Sequence, residues 1–152
     1  MYKTTGKIIY DPKVAVGKND TMFKPWWMII SFGCDISDFY AWLVKARTGI
    51  KLQPSAWGPH ISVIRGEEPV DKSLWGLRNG DLVDVTIDPD MRTNSKHWWL
   101  RVYCEEAKQL RESLGLSRDG TFNLHLTIGS TTIKDLPVSE WALRNFMKFP
   151  NQ

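Results

Sequence analysis

The chain has 152 residues, a net charge of +3 at neutral pH and 42% apolar residues. This length fits one domain, or two small lobes that share a core, and the composition is ordinary for a soluble globular protein. No apolar run reaches the roughly 18 residues that a membrane-spanning helix needs, and the N-terminus lacks the pattern of a signal peptide. We therefore expect a cytoplasmic protein, in which Cys34 and Cys104 are buried free thiols.

Short apolar runs and amphipathic stretches alternate along the chain. The patterns predict a fold of the α+β class with mostly antiparallel sheets, because the regular strand–helix rhythm of a doubly wound sheet is missing. Strands are predicted at 7–10, 26–32, 60–65, 82–87, 98–104 and 123–128, helices at 38–47, 105–114 and 138–147, and a shorter helix at 71–78, with a loop over 11–24.

The first long helix has the clearest boundary signals. Asp35 or Ser37 is a suitable N-cap residue, and Gly49 is a suitable stop. Its apolar residues at helical spacing predict a buried face made of Phe39, Trp42, Leu43 and Ala46.

Two short segments repeat one pattern of histidine, apolar residue and hydroxyl. The first is His60-Ile61-Ser62, and the second is His125-Leu126-Thr127. Both lie in predicted strands, where residues i and i+2 point to the same side. Each histidine should therefore share a sheet face with its hydroxyl, while the apolar residue between them packs into the core.

This pattern suits the cleavage of a phosphodiester. One histidine can take a proton from the attacking oxygen while the other protonates the leaving oxygen, and the hydroxyls can donate to phosphate oxygens. The sequence does not assign the acid and base roles to His60 and His125. The third histidine, His97, has no hydroxyl two residues on and is interpreted as structural. Neither HExxH nor CxxC occurs, so no metal site is predicted.

The paired motifs resemble the H-x-[S/T]-apolar signatures of the 2H phosphoesterase superfamily, although the first carries Ser62 where threonine is common. That resemblance implies a single bilobal α+β domain over residues 1–152, with mostly antiparallel sheets lining a central cleft. It also implies metal-independent phosphodiesterase activity without a cofactor, carried by the catalytic residues His60, Ser62, His125 and Thr127.

In its short length and its eight tryptophans, the chain resembles one group within that superfamily, the anti-CBASS nucleases of T4-like phages. The resemblance implies hydrolysis of the 3′–5′ bonds of cyclic di- or trinucleotide second messengers, such as cGAMP-like or cyclic tri-adenylate-like ligands. Such an enzyme would counter CBASS antiviral signalling in the cytoplasm of the host bacterium, with no membrane and no obligate protein partner involved. The alternatives are an RNA 2′,3′-cyclic phosphodiesterase and a non-catalytic nucleotide-binding sponge.

Four further residues are candidates for substrate binding. Trp57 lies in the loop just before the first motif, and Tyr10 lies near the start of a loop containing glycine and lysine. Glu140 and Trp141 follow the second motif and could fold back over the cleft. Aromatic faces can stack on nucleobases.

Overall fold

The computed structural model describes residues 1–13, 25–94, 96–120 and 122–131. This part of the chain contains seven strands and two α-helices. In chain order they are β1 (Tyr2–Tyr10), β2 (Trp27–Ser31), α1 (Asp35–Thr48), β3 (His60–Arg65), β4 (Leu82–Ile87), β5 (Arg92–Thr93), β6 (His97–Tyr103), α2 (Glu105–Ser113) and β7 (His125–Ser130), with a 3₁₀ helix at Lys72–Leu74. The predicted helix at 138–147 and most of the predicted loop, residues 14–24, lie outside the described residues.

The strands form one antiparallel sheet. Its order is β3-β2-β1-β4-β6, and every ladder between them is antiparallel. β5 pairs with β6 on the same edge as β4, and β7 pairs with the opposite edge of β6. β3 and β7, at the two ends of this order, contact one another, so the sheet curves into a nearly closed barrel. The predicted α+β class with mostly antiparallel pairing is confirmed.

Six strand predictions are confirmed, most with boundaries shifted by only a few residues. The segments 60–65 and 82–87 have the predicted bounds, whereas β1 begins five residues earlier than predicted, at Tyr2. The two-residue strand β5 was not predicted, because polar turn residues surround it. The predicted helix over 71–78 is only one 3₁₀ turn, at Lys72–Leu74.

Helix α1 packs with a different face from the predicted one. Tyr40, Leu43 and Val44 are buried against the sheet, whereas Phe39 is 50% exposed and Trp42 is 61% exposed. Tyr40 can serve in the core because its hydroxyl donates to the carbonyl of Pro89 at 3.0 Å. Only Leu43 was placed correctly on the buried face, and the predicted member Ala46 is exposed.

The boundaries of α1 also correct one prediction. Cys34 occupies the N-cap without a side-chain cap, so neither Asp35 nor Ser37 is the cap residue. Ser37 instead donates its hydroxyl to the carbonyl of Cys34 at 3.1 Å. Gly49 ends the helix with a φ of 77°, as predicted.

The two cysteines have different surroundings. Cys104 is a buried free thiol, as predicted, but Cys34 is exposed at the start of α1, so the prediction was wrong for that residue. Cys34 precedes the helix and does not lie on its packed face. None of the described helices is long and apolar enough to cross a membrane.

Helix α2 is held to the sheet by a buried arginine. Arg111 is 2% exposed, and its guanidinium makes a two-pronged contact with the Glu67 carboxylate at 2.8 and 2.7 Å. It also donates to the carbonyls of Val63 and Ser117, both at 2.8 Å. Hydrogen bonding from Arg111 lowers the pKa of Glu67. This one side chain therefore connects α2 with β3 and with the loops that follow both elements.

Gly129 in β7 provides a test of how closely this strand packs against Leu52 and Gln53. A Cβ at residue 129 would lie 2.7 Å from the Cβ of Leu52 and 2.8 Å from the carbonyl oxygen of Gln53. We expect Gly129→Ala to lower the free energy of unfolding by about 1–3 kcal/mol, the usual cost of overpacking. Urea unfolding measures it. Gly33→Ala is the control, because a Cβ there has nothing within 4 Å, and equal stability of the two variants would contradict the expectation.

Candidate functional site

The two motifs begin the strands β3 and β7. His60 is the first residue of β3, and His125 is the first residue of β7. The apolar residues between the polar positions are buried in the core, as predicted: Ile61, Val63, Leu126 and Ile128. In each motif, the histidine and the hydroxyl therefore share the face opposite to the core.

Both motif strands contain a β-bulge immediately after the hydroxyl residue. Opposite β2, the pairing shifts so that Val63 is the extra residue; opposite β6, the extra residue is Ile128. A bulge changes the alternation of side chains by one position. Arg65, three residues after Ser62, therefore lies on the same face as Ser62.

The strand register places both motifs on one face of the sheet, because directly paired residues point to the same side. From β3 to β4 the connecting pairs are His60–Ser31, Ser31–Lys7 and Lys7–Leu82, and from β4 to β7 they are Thr86–Tyr103 and Arg101–His125. Within β4, Leu82 and Thr86 share a face, as do Tyr103 and Arg101 within β6, because each two residues are an even number of positions apart. We call this the site face. Because β3 contacts β7, the two motifs lie on neighbouring strands at the seam that closes the barrel.

The two histidines are anchored in the same way. Nδ1 of His60 lies 2.8 Å from the carbonyl oxygen of Gly58, and Nδ1 of His125 lies 2.9 Å from that of Asn123. A carbonyl can only accept a hydrogen bond, so each Nδ1 carries the hydrogen. In both rings Nε2 is then the atom that can exchange a proton with a ligand.

The surroundings of the histidines differ in burial. His60 is half-buried, whereas His125 is exposed. Burial lowers the pKa of His60, and the positive charges of Arg65 and His125 lower it further, against the opposing effect of the hydrogen bond to Gly58. His60 is therefore biased towards the neutral form, which can accept a proton.

A buried tryptophan positions the Ser62 hydroxyl. Trp27 Nε1–H donates to Ser62 Oγ at 3.0 Å, so the hydroxyl keeps its own hydrogen for another acceptor. The Trp27 ring also stands edge-on to His60, with ring centres 5.7 Å apart. On the other motif, Trp99 pairs with Thr127 and stands edge-on to His125 at 6.4 Å.

A cavity of about 540 Å³ opens beside the second motif. His125 and Thr127 line it, and so does Arg65 from β3, whereas His60 and Ser62 are not among its lining residues. The cavity thus reaches across the seam. A neighbouring cavity of about 590 Å³ is lined by Asp84, Glu105 and Asp119 among others, and neither the histidines nor the hydroxyl residues of the motifs line it.

The sequence interpretation missed the cationic side chains of this site. Arg65, Arg92 and Arg101 all line the cavity of about 540 Å³. The signal for Arg65 was available, because it follows the first motif, but simple alternation places it on the wrong face without the bulge. His97 also lines this cavity and is exposed; its interpretation as a structural histidine stays a prediction.

The candidate substrate-binding residues fall in different places. Trp57 packs edge-on against Trp27 with ring centres 5.1 Å apart, which puts it beside the first motif. Tyr10 pairs with Met28 and so lies on the core face; its hydroxyl donates to the carbonyl of Leu77 at 2.8 Å. The structure thus does not bring Tyr10 to the histidines. Glu140 and Trp141 lie outside the described residues.

No family model, no curated protein and no solved structure matches the chain. The interpretation of the site therefore depends on its own geometry.

The arrangement around His60 predicts a specific response to charge removal. NMR titration should give His60 a ring pKa below the ordinary value of 6.5. Arg65→Gln should raise that pKa, because a nearby positive charge that opposes protonation is removed. Lys45→Gln is the control, since Lys45 is exposed on α1, across the core from the site face. An unchanged or lower His60 pKa in Arg65→Gln would contradict this account.

Proposed function

We propose that this chain is a metal-independent phosphodiesterase of the 2H type that hydrolyses the 3′–5′ bonds of cyclic di- or trinucleotide second messengers. The observation that carries the proposal is the matched pair of motifs. Each has a histidine held through Nδ1 by a backbone carbonyl, a hydroxyl on the same face, and a bulge directly after that hydroxyl. A general acid and a general base with free Nε2 atoms are what phosphodiester cleavage requires.

The asymmetry between the histidines supports a division of roles. His60 is biased towards the neutral form, so it is the better candidate for the base. Its Nε2 takes the proton of a ribose 2′-hydroxyl, and the 2′-oxygen forms a bond to the adjacent phosphorus. The bond from phosphorus to the 5′-oxygen breaks as His125 Nε2–H protonates that oxygen. The products are a 2′,3′-cyclic phosphate, open to later hydrolysis, and a 5′-hydroxyl.

The two hydroxyls and Arg65 would stabilise the charge that develops on the phosphate. Ser62 and Thr127 can each donate to a non-bridging oxygen. Arg65 lies on the site face of β3 and lines the cavity, where its guanidinium adds a positive charge. These fixed donors need little rearrangement during the reaction.

Cavity size favours a small ligand over a long RNA strand. Small-molecule sites have volumes of about 300–1,000 Å³, and the cavity of about 540 Å³ lies in this range. Trp57 beside the first motif and Trp99 beside the second offer aromatic faces for nucleobases. A bilobal arrangement, with one lobe for each motif strand, would place the bases on both sides of the scissile phosphate.

Replacement of either histidine tests the catalytic roles. We expect His60→Ala and His125→Ala each to slow turnover of a cyclic dinucleotide about 10²–10⁴-fold, the usual contribution of general acid–base catalysis. The double variant should be little slower than the single ones, because the two groups act in one step. Mass spectrometry of the products in EDTA measures the rates, and circular dichroism checks the fold.

Substrate analogues distinguish this function from its alternatives. A ligand with 2′-deoxyribose at the cleaved link should survive, because it lacks the attacking hydroxyl. Normal cleavage of that analogue, or loss of activity in EDTA, would contradict the mechanism. Cleavage of RNA that ends in a 2′,3′-cyclic phosphate, with cyclic dinucleotides left intact, would indicate the RNA-processing alternative. Stoichiometric capture without products would indicate a sponge.

Trp27→Phe tests whether Trp27 is a positioning residue. The substitution removes the Nε1–H donor to Ser62 but keeps an aromatic ring. Loss of one neutral hydrogen bond, worth about 0.5–1.5 kcal/mol net, should lower kcat roughly 3- to 10-fold with little change in KM. Trp42→Phe, on the exposed face of α1, is the matched control. A change in KM alone would instead indicate a role in substrate binding.

A further inference from the structure

In the described part of the chain, the site face carries three arginines that have no acidic partner there. Arg65 pairs with Trp27, Arg92 with Trp99, and Arg101 with His125, so the ladders place all three on the same side as the motifs. Within residues 1–13, 25–94, 96–120 and 122–131, their side chains make no salt bridge. By contrast, the arginines at 78, 111 and 118 are each paired with one or two carboxylates.

Arg92 has an unsatisfied polar atom. Its Nε is buried, and it has no hydrogen-bond partner within the described part of the chain. Leaving a buried donor of a charged group unpaired is costly, so such groups normally meet a partner. The described lining of the cavity offers this guanidinium no carboxylate, because it contains arginine, asparagine, histidine and threonine side chains but no aspartate or glutamate. Within the described residues, Arg92 therefore keeps a positive charge without a carboxylate partner, at the wall of a cavity that an anionic ligand can enter.

Arg92 lies farther from the second motif than Arg101 does. Arg101 stands directly opposite His125 on β6, while Arg92 stands on β5, opposite Trp99, which in turn pairs with Thr127. The backbone of Arg92 is therefore two strand spacings, about 10 Å, from that of Thr127. A phosphate held by Arg92 would be separate from the phosphate that the histidine–hydroxyl pairs hold.

We propose that Arg92 and Arg101 form a second phosphate subsite, which binds the phosphate next to the scissile one. The terminal N–H groups of the Arg92 guanidinium can donate to the oxygens of one phosphate. The ligand class is then an oligonucleotide with at least two phosphates. The inference rests on the proposed function only for the position of the scissile phosphate; the subsite itself is a binding site that can be tested without catalysis.

Calorimetry with two small nucleotides tests the subsite. Adenosine 3′,5′-bisphosphate should bind about tenfold or more tightly than adenosine 3′-monophosphate, the expected gain from one charge-assisted contact. Arg92→Gln should abolish most of this difference while leaving the affinity for the monophosphate nearly unchanged. Lys45→Gln removes the same charge from the far side of the core and should preserve the difference.

Two further variants keep the test decisive. Arg92→Lys retains the charge but replaces the planar guanidinium with a compact ammonium group, so it should retain only part of the preference for the bisphosphate. If Arg92→Gln does not fold, Arg101→Gln takes its place, with the same expected loss. Equal affinities of the wild type for the two nucleotides would overturn the subsite, and so would an unchanged preference in both glutamine variants. Absence of cyclic dinucleotide cleavage alongside a clear preference would instead overturn only the proposed function.

Discussion

The site depends on where the two motif strands depart from regular pairing. A side chain in a strand can change face only if the ladder gains or loses a residue, and β3 and β7 each gain one directly after the hydroxyl. The core receives two consecutive residues there, and the chain then returns to the site face. On β3 the bulge is stabilised by a hydrogen bond, because Arg111 donates to the carbonyl of Val63, the extra residue.

Charge is divided between the two sides of the sheet. Arg111, buried on the core side, is matched by the carboxylate of Glu67 and two carbonyls, as a desolvated cation requires. The arginines of the site face lack such matching within the described residues, although Arg92 Nε is also shielded from water. The same residue type therefore stabilises the fold on one side, and on the other side it carries the charge that the proposed phosphate subsite would use.

The sequence predicted the parts of this structure that depend on alternation. Period-two patterning was sufficient to find β3, β4 and β7 and to assign Ile61 and Leu126 to the core. It was insufficient for Arg65, because two consecutive apolar residues, Val63 and Ile64, do not by themselves distinguish a bulge from a strand that is buried on both faces. Helical periodicity wrongly predicted that Phe39 and Trp42 are buried, because it considers only how apolar a residue is. The buried aromatic residue is Tyr40, whose hydroxyl donates a hydrogen bond to a carbonyl. The contributions of Arg92 and Arg101 depend on strand pairing between distant segments, which no local pattern records.

The carbonyl anchors of the histidines bear on how this kind of site can evolve. A backbone oxygen is supplied by every residue type, so the position of Asn123 can change its side chain without losing the contact to His125. Gly58 is less free, because its φ of 73° favours glycine. Within the described residues, each ring takes its Nδ1 hydrogen bond from the backbone, so the proposed site depends on a few side chains on two short strands. Many substitutions elsewhere in the chain would then leave intact the groups that the proposed reaction needs.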